Sequence, residues 1–369
     1  MMEQTRPQAP AAAVPGTWQA AVRHPVSFTG TTGEYFGIWI VNVVLSVLTL
    51  GIYSAWAKVR TERYFYGNTH LAGSTFEYSA DPIRILKGRL IAYAVVIALL
   101  LSSQFLPVLY FILVFAVWAV VPLLIVWSMR FRARYSAWRG LGFRFVHRPG
   151  QAYGPYLLWP LIAMLSGTLL YPLAVRRQHA FVAEGHRFGT EAFAYHGDSS
   201  AYYLPYLMAL GGVVGAMVLM LGGIVALGFG AAALGQGEDA SDPMGVVGLA
   251  ILVLMMVFYL LLFVVIGFLR VRYANLFWNS VALGPHRFES TLRAREVLWL
   301  YFGNLVLILV TLGLAIPWAK IRLARYRAEH FAVLASGGLE SFVAGLEAER
   351  SAAGAELVDA IDVDMDIGI

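Results

Sequence analysis

The 369-residue sequence contains no cysteine, which excludes disulfides, thiolate catalysis and Cys-ligated zinc or iron–sulfur centres. Charge is also scarce. Only 13% of residues are charged against 59% hydrophobic, where soluble domains carry about 25% charged residues. Such a chain is a polytopic membrane protein. It has no HExxH pair, no phosphate-cradling Gly-rich loop and no GxSxG or GxGxxG turn. Its eight histidines (His24, His70, His147, His179, His186, His196, His286, His330) lie in or beside extramembrane segments without ligand spacing. They read as surface or interfacial structure, so no metal, no cofactor and no enzymatic activity are expected. Met1 to Thr17, rich in Ala, Pro and Gln, lacks an apolar core beside a cleavage site and reads as a flexible cytosolic lead. The net charge of +5 suits membrane edges, where Lys and Arg set topology and meet anionic lipid, better than nucleic acid.

What the chain does have is a motif that occurs twice. Thr49-Leu50-Gly51 runs into Trp56-Ala57-Lys58-Val59-Arg60, and Thr311-Leu312-Gly313 runs into Trp318-Ala319-Lys320-Ile321-Arg322 at the same spacing. Glu34 and Asn42 match Glu296 and Asn304 by the same displacement. The helix predicted from Phe36 to Leu50 is about 22 Å long at 1.5 Å per residue, short of the roughly 30 Å hydrocarbon core. A second helix from Ser54 puts Trp56, Arg60, Arg63 and Tyr64 on one stripe, suited to the headgroup layer. Apolar alternation predicts short strands at His24–Gly30, His70–Tyr78 and His186–Tyr195. Leu90–Met129 is long enough for two spans and holds no Lys or Arg. Tyr202–Gly235 and Gly245–Leu269 make two more, with an acidic connection between them. Tyr156–Ala174 is a second broken apolar segment, and the tail from Ser336 is acidic and predicted to be largely disordered, folding back on basic loops.

Charge counting bears on topology. If all seven apolar segments cross, the 27 Lys and Arg divide as 10 on one side and 17 on the other. If the broken segments 36–57, 156–174 and 297–319 are re-entrant, all 27 fall on the cytosolic side. The competing reading makes each a kinked but complete span, since Pro and Gly are common in membrane helices.

The string Glu34-Tyr35-Phe36, Asn42, Thr49-Leu50-Gly51-Ile52-Tyr53, Trp56-Ala57-Lys58-Val59-Arg60 and Arg63-Tyr64-Phe65-Tyr66-Gly67-Asn68-Thr69 resembles the YjgN-like family of bacterial inner-membrane proteins, a domain family of unknown function. The resemblance is strong over Phe28–Arg89 and Glu296–Tyr326. It implies a bacterial inner-membrane location and no established activity. The middle segment departs from the pattern, with Leu173-Ala174-Val175-Arg176 in place of Trp-Ala-Lys-Val.

The expected fold is therefore an all-α polytopic membrane protein with short cytosolic β elements and internal repeats built on broken or re-entrant helices. Its divisions are a lead (1–22), a first repeat (23–89), a helical hairpin (90–129), a divergent second repeat (130–200), a second hairpin (201–269), a third repeat (270–335) and an acidic tail (336–369), both termini cytosolic. Glu34, Asn42, Lys58 and Arg60, with Glu296, Asn304, Lys320 and Arg322, form the candidate polar site at membrane depth. The carboxylates complement helix N-termini in one reading and pair with Arg60 or Lys58, and Arg322 or Lys320, in the other. Trp56, Arg63 and Tyr64, with Trp318, Arg325 and Tyr326, form the candidate headgroup belt. Broken helices in repeats point to a transporter or channel for a small solute. The same belt points alternatively to a lipid-binding or membrane-organising scaffold. Anionic lipids, an unidentified solute and a second copy of the chain are the expected partners, with no nucleic acid.

Overall fold

The computed structural model describes residues 21–234, 243–349 and 351. Most of the N-terminal lead, the acidic connection between the two long spans and the far end of the tail lie outside the described residues. From residue 22 the chain follows one order, strand, helix, helix, strand, five times over. The first module is β1 (Val22–Phe28), α1 (Thr32–Leu48), α2 (Ser54–Gly67) and β2 (Thr69–Leu71). The second is β3 (Ser74–Tyr78), α3 (Pro82–Phe105), α4 (Pro107–Arg134) and β4 (Ser136–Trp138). In the third, β5 (Leu141–Phe145) reaches α5 (Trp159–Leu165) through a 3-10 turn and a π turn, and α6 (Tyr171–Gly185) leads to β6 (His186–Phe188). The fourth is β7 (Glu191–Tyr195), α7 (Ser199–Leu234), α8 (Pro243–Asn279) and β8 (Val281–Leu283). The fifth is β9 (His286–Ser290), α9 (Ala294–Val310), α10 (Ile316–Glu329) and β10 (Phe331–Ala335), after which residues 339–349 form α11.

The ten strands close into an antiparallel barrel. Closure falls to β1, which pairs with β10 through Val22–Pro25 and with β2 through Val26–Phe28. The register places all ten helix attachments on one rim. Phe28 faces Thr69, Tyr78 faces Ser136, Phe145 faces His186, Tyr195 faces Val281 and Ser290 faces Phe331. The opposite rim carries the hairpin turns, such as Ala72-Gly73 and Arg139-Gly140, whose positive φ angles (47° and 77°, 48° and 75°) are those of tight hairpins. Each helix pair thus leaves and returns at the same rim, and neighbouring pairs touch around the ring: α2 on α3, α6 on α7, α8 on α9, α10 on α1.

This architecture corrects the all-α expectation with scattered β elements. Strands of three to five residues look like isolated arms in the sequence, and a lone hairpin of that size is unstable in water. Pairing these hairpins side by side across the helix pairs, with β1 on β10, removes every edge, and the ring then stands as one sheet. Its lumen is filled. Val26, Phe28, Leu71, Trp138, Leu141, Phe188, Leu283 and Val333 pack inward from the wall, and Tyr35 and Ile321 enter from the helix side. From the hairpin side, Leu339, Val343 and Leu346 of α11 enter, with Phe342 packed against them. The start of the acidic tail is therefore a helix whose apolar face stoppers the barrel. Its outer face is tied down by Arg139 to Glu340 (3.8 Å) and by the Thr190 hydroxyl donating to Glu349 (2.6 Å).

Four helices, α3, α4, α7 and α8, are long and apolar enough to cross a membrane. No more than 6% of the most apolar stretch of any of them is buried against protein. The other three pairs are short, and α1, for instance, has 17 residues, about 26 Å of helix.

Candidate functional site

The Thr-Leu-Gly motif is a turn that joins two antiparallel helices. Leu50 and Gly51 both take positive φ (50° and 90°), as do Leu312 and Gly313 (50° and 93°). The Thr49 hydroxyl donates to the Leu45 carbonyl (2.7 Å) and accepts from the Tyr53 amide (2.9 Å), so one side chain satisfies the end of α1 and the start of α2. Thr311 does the same with Leu307 (2.7 Å) and Ala315 (3.0 Å). Sequence reasoning missed that the third module carries the same device: Ser166 donates to Ala163 (2.8 Å) and accepts from Leu170 (3.1 Å), with positive φ at Gly167 and Thr168. The signal was hidden because Gly precedes its bulkier neighbour here, where the outer modules have Leu before Gly.

Antiparallel packing decides which candidate residues meet. The start of α1 lies beside the end of α2, so the Glu34 carboxylate accepts from the Tyr64 hydroxyl (3.0 Å), which also bonds Thr31. Glu296 likewise accepts from Tyr326 (3.0 Å) and pairs with Arg293 (3.0 Å) and His330 (3.6 Å). Among the described residues no ion pair joins Glu34 to Lys58 or Arg60, or Glu296 to Lys320 or Arg322. The Arg293 guanidinium and the Tyr326 hydroxyl hold the Glu296 carboxyl below the usual carboxylate range. Burial, and then the Glu34 carboxylate, push the Tyr64 hydroxyl up.

Halfway along each pair sits a buried asparagine. The Asn42 amide donates to the Ala57 carbonyl and the Asn304 amide to the Ala319 carbonyl, each at 3.4 Å, and among the described residues neither Oδ1 atom has a partner. Lys58, Arg60 and Arg63 lie exposed along α2, with Arg63 reaching the Tyr78 carbonyl (3.3 Å) and Trp56 stacked on Tyr53 (6.2 Å). In α10, Lys320 is also exposed but donates to the Tyr35 hydroxyl (3.2 Å), Arg322 lies over the Trp318 ring (5.0 Å), and Arg325 donates to the Gly30 carbonyl (3.4 Å). A cavity of about 540 Å³ opens between α9, α10 and the first residue of α1, lined by Thr32, Glu296, Trp299, Leu300, Trp318, Ile321, Arg322, Arg325, Tyr326 and Glu329. Trp299 and Glu329 were not among the sequence candidates, since nothing in their spacing separates them from other interfacial residues. Among the described residues no three His, Asp or Glu side chains gather as a metal-binding group.

The family described as "Bacterial protein of unknown function (DUF898)" matches residues 23–360. A Salmonella typhimurium protein named "Inner membrane protein YjgN" is 27% identical over 358 residues, covering 86% of this chain and 90% of its own. Its namesake from Escherichia coli O157:H7 is 28% identical over 159 residues, 42% of this chain and 40% of its own. Over 55 residues, the namesake from Escherichia coli K12 is 46% identical, covering 15% of this chain and 14% of its own. No solved structure matches.

Proposed function

Because the chain belongs to the DUF898 family of bacterial proteins of unknown function, and its relatives bear the name of inner membrane proteins, we propose that it is a multi-pass protein of the bacterial inner membrane that binds and organises lipid at the headgroup layer, without catalysis. The observation that carries this reading is the pairing of a filled barrel with bare helices. Wall residues, Tyr35 and α11 occupy the lumen, so an aqueous path along the barrel axis has no room. Few residues in the most apolar stretches of the four long helices are buried against protein, and lipid is the solvent such surfaces require. Orientation rests on charge: in the long helix pairs Arg84, Lys87, Arg89, Arg130, Arg132, Arg134, Arg270 and Arg272 lie toward the barrel-side ends, which supports a cytosolic barrel and cytosolic termini. The three short pairs then enter from the cytosolic face and return to it as re-entrant repeats. Exposed Lys58, Arg60 and Arg63, with half-buried Trp56 beside them, suit anionic headgroups in the first module.

Solute passage is a second reading, favoured by the buried Asn42 and Asn304 oxygens, which have no partner among the described residues. Such a path must run between helix pairs and leave beside the barrel. The two readings separate in vesicles of phosphatidylglycerol and phosphatidylcholine. Retention of phosphatidylglycerol by the solubilised protein, falling severalfold in the double variant Arg60→Ala, Arg63→Ala, is the expected outcome. Solute efflux above that of protein-free vesicles, abolished by Asn42→Ala with retention unchanged, would sink the lipid reading.

A further inference from the structure

The cavity of the fifth module holds charges of both signs that do not neutralise each other. Arg322 and Arg325 line it together with Glu296 and Glu329, yet among the described residues no ion pair joins an arginine of this set to a carboxylate of it. Arg322 has its guanidinium over Trp318 (5.0 Å), and Arg325 spends one long bond on the Gly30 carbonyl (3.4 Å). Most of their donors stay free for a phosphate, which guanidinium binds in a bidentate manner. The wall is completed by Trp299, 71% exposed, and Trp318, 37% exposed. These are amphipathic rings of the kind that settle at the membrane–water boundary.

Comparison within the chain shows what is special here. The first module has Trp56, Arg60 and Arg63 where the fifth has Trp318, Arg322 and Arg325, but Gly37 and Gly67 where the fifth has Trp299 and Glu329. The cationic floor is common to both modules. The extra aromatic wall and the second carboxylate belong to the fifth alone. We propose that this cavity binds one aminophospholipid, its phosphate on Arg322 and Arg325 and its ammonium between Glu296 and Glu329. The site rests on the lipid-binding reading and gives it a headgroup specificity. About 540 Å³ falls within the range of small-ligand sites, roughly 300–1,000 Å³. A phosphatidylcholine headgroup lacks the N–H donors the carboxylates require, and phosphatidylglycerol lacks the cation.

The test is native mass spectrometry of the full-length protein equilibrated with equal amounts of phosphatidylethanolamine, phosphatidylcholine and phosphatidylglycerol. Wild type should retain phosphatidylethanolamine about tenfold over phosphatidylcholine, a difference of one decade in affinity. Trp299→Gly, which installs the first module's residue at an exposed position, should erase that preference, as should the double variant Arg322→Ala, Arg325→Ala. Glu329→Gln should move the preference toward phosphatidylglycerol. Arg60→Ala with Arg63→Ala should lower phosphatidylglycerol retention and keep the phosphatidylethanolamine preference; unchanged phosphatidylglycerol retention there counts against the general reading alone. Equal retention of phosphatidylethanolamine and phosphatidylcholine, or an unchanged preference in Trp299→Gly, overturns the site. So does displacement of the lipid by glycerophosphoethanolamine, which would assign the cavity to a soluble phosphate ester.

Discussion

At the scale of single residues, His286 is the most informative side chain outside the membrane. It is 2% exposed, neither ring nitrogen has a partner among the described residues, and its ring meets Phe342 of α11 edge-on (4.4 Å). Burial, and then neighbouring His24, push its pKa below the usual value, which is about 6.5. The unfolded chain therefore binds more protons than the folded one just below that value. The stabilisation is complete above about pH 6.5 and is lost as the pH falls. His147 and His186 shift the same way through burial, and His179 is pushed down to about 4. The hydrogen-exchange protection factors of residues 339–349, which remove the intrinsic pH dependence of amide exchange, should fall severalfold between pH 7.5 and 5.5, and His286→Phe should flatten that response. An equal fall in the variant would exclude His286 as the cause. From sequence alone these histidines read as bland interfacial residues, because burial by a helix some fifty residues downstream leaves no local trace. Glu34 and Glu296 were legible by their common displacement, but their tyrosine partners were not, since only the antiparallel return of the second helix brings Tyr64 and Tyr326 to them.

At the scale of elements, the helix-joining turns carry the argument. The Thr49 and Thr311 hydroxyls each make two bonds to backbone groups that would otherwise be orphaned at a helix end. Thr311→Val keeps the shape and removes both bonds, so a loss of about 1–3 kcal/mol is expected, read as a lower thermal midpoint in detergent. Thr311→Ser should restore most of it, since Ser166 performs the same task in the third module. A valine variant as stable as wild type would show that the hydroxyl bonds are matched by water or lipid in the unfolded reference. Helix breaks at positions 51 and 313 were readable because Gly follows an apolar run at both. The third break was readable only as a break, and its kinship with the others depends on φ angles and hydroxyl geometry that letters do not record.

At the scale of the whole molecule, the placement of all five helix pairs on one rim makes a topological prediction that the absence of native cysteine lets single-cysteine variants check cleanly. A membrane-impermeant maleimide should label Glu77→Cys and Arg287→Cys from the same side, Gln104→Cys from the other, and Leu50→Cys and Leu312→Cys from neither. Labelling of Leu50→Cys from the Gln104 side would mean that the first helix pair reaches across the bilayer. The long apolar helices were plain from hydropathy, whereas the barrel was not, because each of its pairings within a module joins strands separated by a whole helix pair. One joint has a consequence for how the molecule is made. Val22–Pro25 pairs only with β10, so for most of synthesis the first strand offers an open edge. At about 5–20 residues per second that wait lasts on the order of 15–60 seconds, and whatever shields a nascent strand during elongation has this segment as its client until the last module emerges.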